Sequence, residues 1–145
     1  MSKGRKIAAC LELAEGCAHD ARLLIGAASR NAAYLASQAA EHIITAVATS
    51  EDIHIERKDA HQLDTIIRRL PPEHPDHAML TSISFLEAYS TSYRYGTPTG
   101  RVPISPPMDR VAAALGRIDT LITELRRHFD IDEGGGTARN VAPRR

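Results

Sequence analysis

Three short constellations in this chain hold residue types that do chemistry. Gln38, Glu41 and His42 fall within five residues of one another. A carboxylate within hydrogen-bond reach of an imidazole is a common acid–base pairing. The same residues can instead satisfy polar atoms of neighbouring helices at a buried seam. Arg68, Arg69 and His74 lie in RRLPPEH, where an Arg would hold a phosphate and a His would move a proton. Arg94 and Tyr95 form the third group. Arg there can receive a phosphate with Tyr95 stacked on a base, or it can satisfy helix-terminal carbonyls.

Other patterns carry less. His54-Ile55-Glu56 matches half of a zinc deaminase signature, but the paired Pro-Cys-x-x-Cys half is absent. Glu73, His74, Asp76 and His77 are metal-ligand types, yet a proline splits them and their spacing matches no defined motif. They read as a solvated helix-entry loop. The phosphate-cradling Gly-x-x-x-x-Gly-Lys-Ser/Thr and the nucleophile-bearing Gly-x-Ser-x-Gly do not occur. No metal and no cofactor are expected.

These residues must be positioned by helices. The 145 residues are 43% hydrophobic and 4% aromatic without Trp, so the expected core is aliphatic and alanine-filled. Formal net charge is zero, which argues against general affinity for nucleic-acid backbones. The basic residues are mostly Arg, a bias that suits phosphate binding or reflects genomic base composition. No apolar run is long enough for a membrane span, and the mixed N-terminus is not a signal peptide. Cys10 and Cys17 would lie roughly 10 Å apart along one helix, too far for a disulfide. They read as small buried hydrophobes in a reducing cytoplasm.

Hydrophobic periodicity predicts five helices. The first runs from about Lys6 to Ala28 on a stripe of Ile7, Leu11, Ala14, Ala18, Ala21 and Ile25. The second, capped by Ser29 or Asn31, reaches about Thr49. It is apolar around most of its circumference, except for a narrow stripe of Tyr34, Gln38, Glu41 and Thr45. Such a helix belongs at the centre of a bundle, its stripe lining an interface or a pocket. Ile53 and Ile55 pin a connector. Asp59 with Gln62 resembles a capping box for the third helix, which the diproline Pro71-Pro72 stops. The fourth spans Pro75 to Tyr95, with Gly96 as its stop. The fifth starts at Ser105-Pro106 and carries Val111, Leu115, Ile118, Ile122, Leu125 and Phe129. The expected architecture is all-α: one domain, a four- to five-helix up-and-down bundle over residues 1–129, followed by a flexible tail over 130–145.

In order and helix position, Tyr34-Leu35-Ala36-x-Gln38-Ala39-x-Glu41, then His61-x-Leu63, then Tyr89 and Arg94-Tyr95, resemble the HEPN superfamily of small helical nucleotide-binding domains. The similarity spans roughly residues 7 to 127. It implies a homodimer with a cleft between subunits. It also implies either a metal-independent ribonuclease of toxin type or a non-catalytic partner of a minimal nucleotidyltransferase. Arg94 stands where the ribonuclease branch has its Arg. Where the companion His is due stand Thr99, Gly100 and Arg101. The resemblance therefore favours a non-catalytic module that binds nucleotide, or RNA, through Arg94, Tyr95, Gln38, Glu41 and His61. A ribonuclease using Arg68 or Arg69 with His74 is the alternative, and a purely structural dimerisation module is a third.

Overall fold

The computed structural model describes residues 2–91 and 95–129. Their architecture is a helical bundle. Its elements are α1 (Lys3–Gly26), α2 (Asn31–Ser50), α3 (Leu63–Arg68), α4 (His77–Ile83) and α5 (Met108–His128). Short 3-10 segments cover Arg57–Asp59 and Ser84–Ser90.

Helix α2 is the centre, as its all-round apolar sequence predicts. Ala32, Ala33, Ala36, Ala39, Ala40, Ile43, Ile44, Ala46, Val47 and Ala48 are all buried. Ser37 is also buried, and its hydroxyl donates to the Tyr34 carbonyl at 2.6 Å, so no polar atom is left unmatched there. Alanine surfaces let neighbouring helices come close. Helix α1 packs most extensively on α2, laying Ile7, Leu11, Ala14, Ala18 and Ala21 against it.

The hairpin is antiparallel. Lys3 meets Asp52 at its open end, and Cys17 meets Gln38 an equal number of residues along both helices. Helix α5 is also antiparallel to α1, since Arg22 pairs with Asp119 and Glu15 with Arg126. Helices α2 and α5 are therefore parallel, and the chain between them must travel back along the bundle. It does so through α3, α4 and the 3-10 segment after α4. The Arg110 guanidinium, 4.4 Å from the Phe85 ring centre, ties that segment to α5. Arg30 donates to the Pro103 carbonyl at 2.7 Å and anchors the loop before α5.

Several expected boundaries are corrected. Helix α1 begins at Lys3, where the Ser2 hydroxyl accepts from the Arg5 amide at 3.2 Å. It ends at Gly26, two residues before Ala28. The Asp59–Gln62 capping box does not form. Asp59 lies in a 3-10 turn and no side chain of the Gln62 cap contributes. The first amide of α3, on Leu63, instead donates to Glu87 Oε1 at 2.6 Å, a cap supplied from a distant segment. The expected continuous fourth helix gives way to 3-10 geometry after Ile83. The hydroxyls of Ser82, Ser84 and Ser90 donate to carbonyls three residues back, which competes with the α-helical ladder. Helix α5 starts at Met108 rather than Ser105. Ser105 and Pro106 each precede a proline, and a residue before proline is driven out of helical geometry. The tail over 130–145 lies outside the described residues.

Candidate functional site

Along α2, positions separated by three or four residues share a face, so Tyr34, Gln38, Glu41 and Thr45 form one line. The structure sets this line beside the α1 face that carries Cys10 and Cys17. Gln38 is held at both ends. Its Nε2 donates to Tyr34 Oη at 2.8 Å, and its Oε1 accepts from Cys17 Sγ at 3.8 Å. Neither cysteine is fully buried, contrary to their expected place as core hydrophobes. Burial pushes both thiols up from their usual value of 9.0, with Lys6 opposing at Cys10, and Asp20 and Glu41 reinforcing at Cys17. Both are neutral thiols at pH 7 and poor nucleophiles.

One turn further along, Glu41 meets His61. Glu41 Oε1 lies 3.0 Å from His61 Nδ1, with side-chain exposures of 16% and 61%. Among the described residues His61 is the sole polar partner of this carboxylate. Burial raises the Glu41 carboxyl above its usual 4.5; the bond and charge of His61 oppose this, and nearby Glu87 adds to it. The arrangement is a half-buried carboxylate roofed by an exposed imidazole, with a second carboxylate behind it on the Leu63 amide.

The sequence proximity of Glu41 and His42 is misleading. Adjacent helical residues point about 100° apart and do not face each other. Glu41 bonds His61, and burial lowers His42 from its usual 6.5.

The side chains of Arg68, Arg69 and His74 are engaged within the protein. Arg69 donates to the His54 carbonyl at 2.9 Å, and Arg68 Nε to the Asp64 carbonyl at 3.3 Å. His74, only 11% exposed, accepts from the Asp76 amide at Nδ1 and sits 3.5 Å from Glu51 at Nε2. Both its ring nitrogens are occupied within the protein. Arg94 lies outside the described residues, and Tyr95 is 65% exposed. Among the described residues no group of three or more His, Cys, Asp or Glu side chains is placed to hold a metal ion, and no helix is long and apolar enough to cross a membrane.

Sequence reasoning singled out Gln38, Glu41 and His61 along with Arg94 and Tyr95, and the structure joins Glu41 and His61. It missed Glu87, which carries no local signal, because its role depends on how the segment after α4 folds back on α3. It also missed the pairing of Cys17 with Gln38, which only the helix register sets. No family model, curated protein or solved structure matches the chain.

Proposed function

We propose that this chain is a non-catalytic, HEPN-like helical module that binds nucleotide at the face of Gln38, Glu41 and His61. It acts as a homodimer or as the partner of a nucleotidyltransferase. The observation that carries this reading is the contact between Glu41 and His61. The two belong to different elements and meet at the surface of the bundle. A carboxylate accepts from base amino groups, and an exposed imidazole offers a ring to stack on and a donor for phosphate or sugar. The geometry around His74 argues against the alternative ribonuclease site. An RNA-cutting site needs an imidazole directed at substrate, whereas His74 is turned inward on Glu51 and the Asp76 amide.

Calorimetric titration with ribonucleoside monophosphates tests this. Saturable binding is expected, weakened roughly tenfold by His61→Ala, with added RNA left intact. No binding, or RNA cleavage lost in His74→Ala, would overturn it. Sedimentation should show a dimer; a monomer would remove that part of the proposal. The purely structural reading draws on Gln38, whose bonds to Tyr34 and Cys17 hold the hairpin together. On that reading Glu41→Ala changes stability and nothing else.

A further inference from the structure

At the open end of the α1–α2 hairpin, beyond Thr45, the two helices and the connector enclose a furrow of about 360 Å³. That volume is at the low end for small-molecule sites, which run from about 300 to 1,000 Å³. Its lining includes Lys3, Lys6, Thr45, Thr49, His54 and Ile55. Thr45 continues the α2 line of Gln38 and Glu41 by one turn, but Gln38, Glu41 and His61 themselves do not line the furrow.

Three observations give the furrow a chemical character. First, its cations differ in commitment. Lys3 is tied down, donating to Asp52 at 3.0 Å and to the Ser50 carbonyl at 3.3 Å. The Lys6 ammonium makes no hydrogen bond or ion pair with any described residue, and its charge already acts on the Cys10 thiol beside it. Second, several helical hydroxyls in the bundle bond back to their own helix: Ser37 to Tyr34, Ser50 to Val47, Thr81 to His77, Thr120 to Gly116. Thr45 and Thr49, half-buried in the furrow, make no such bond among the described residues. Their donors are available to a ligand. Third, the connector contributes the apolar side chain of Ile55, partly buried against the core. One unpaired cation, two available hydroxyls and an apolar wall in a small concavity match an anion carried on a compact organic body.

We propose that this furrow is a binding site for a small phosphate monoester. The ester's oxygens take Lys6 and the two threonine hydroxyls, and its organic part lies on Ile55. A phosphate also competes with Asp52 for Lys3, so occupancy loosens the clasp between the N-terminus of α1 and the C-terminus of α2. The neutral net charge of the chain and the Asp52 carboxylate at the rim select against a long polyanion.

The test is an amide NMR titration of the whole chain with phenyl phosphate, inorganic phosphate and phenol as separate probes. Phenyl phosphate is expected to shift the amides of Lys6, Thr45, Thr49 and Ile55 saturably. Inorganic phosphate should shift the same amides more weakly, and phenol should leave them in place. Lys6→Gln, an exposed substitution, should weaken phenyl phosphate roughly tenfold, and Thr49→Val should weaken it less. No saturable shift of these amides up to about 10 mM ligand would overturn the proposal. So would equal affinity in Lys6→Gln, or a response to phenol as large as that to its phosphate. No variant of Glu41 or His61 enters this experiment, so its failure would leave the nucleotide-face reading standing.

Discussion

Two neighbouring residues on α2 respond to burial in opposite directions. The Glu41 carboxyl is raised above 4.5 and the His42 imidazole is lowered below 6.5, because each loses water that would stabilise its charged form. Their effects on stability have opposite signs. For Glu41 the folded state holds the proton more tightly, so its contribution is present below pH 4.5 and is lost as pH rises through the folded value. For His42 the unfolded state takes the proton first, so stability is lost as pH falls below 6.5 towards the lowered folded value. Each slope is at most about 1.4 kcal/mol per pH unit, and partial exposure reduces it. Urea unfolding at about pH 7 and about pH 5 should separate the two. Relative to the native chain, His42→Leu should gain stability on acidification, and Glu41→Gln should lose it. Parallel behaviour of the two variants would show that burial does not set these shifts. The sequence supplied both residues and suggested that they pair. It could not show that they diverge, because the partner of Glu41 comes from a different element.

At the scale of elements, the helix ends show where local rules and packing part company. Helices α1 and α2 close in the same way. After α1, the Ser29 amide bonds the Leu24 carbonyl and the Ala28 amide bonds Ile25, with Ala28 at φ 56°. After α2, the Ile53 amide bonds the Ala48 carbonyl, with Asp52 at φ 59°. Both are the reversing motif that normally takes glycine at the left-handed position. Asp tolerates that conformation and here also holds Lys3; Ala has no such compensation. Ala28→Gly is therefore expected to stabilise the fold by about 0.5–1 kcal/mol, as the relieved strain exceeds the added chain entropy. A higher urea midpoint at unchanged slope would show this, and a lower midpoint would refute it. Sequence periodicity places the end of the helix at Ala28 because the apolar stripe continues to Ile25. It does not register that Gly26 sits inside the last turn while Ala28 makes the reversal.

Across the whole molecule, the controlling feature is how closely α1 and α5 approach α2. The central helix presents alanines where most bundles present larger side chains, and Ala40 is fully buried. Ala40→Leu should cost about 1–3 kcal/mol by overpacking, although Leu is as good a helix former as any residue but Ala. Ala9→Leu, on the exposed face of α1, should change stability by no more than about 0.5 kcal/mol. Thermal unfolding of the two variants makes the comparison. Equal effects would mean that the hairpin can spread without loss, and that its close approach does not hold the furrow and the Glu41–His61 face in shape.

The sequence by itself determined that the chain is helical and that α2 is its centre. Periodicity of apolar residues reports which face of each helix is buried, and α2 is apolar on nearly every face. It also brought Gln38, Glu41 and His61 forward, among candidates that included His42, Arg94 and Tyr95. Only the tertiary structure decided what those faces meet. The antiparallel registers of α1 with α2 and of α1 with α5 set Lys3 on Asp52 and Cys17 on Gln38. The return of the chain between α2 and α5 set His61 on Glu41 and Glu87 on the Leu63 amide. A repeat of 3.6 residues fixes direction around one helix axis; the neighbour in that direction depends on side-chain packing between helices far apart in sequence.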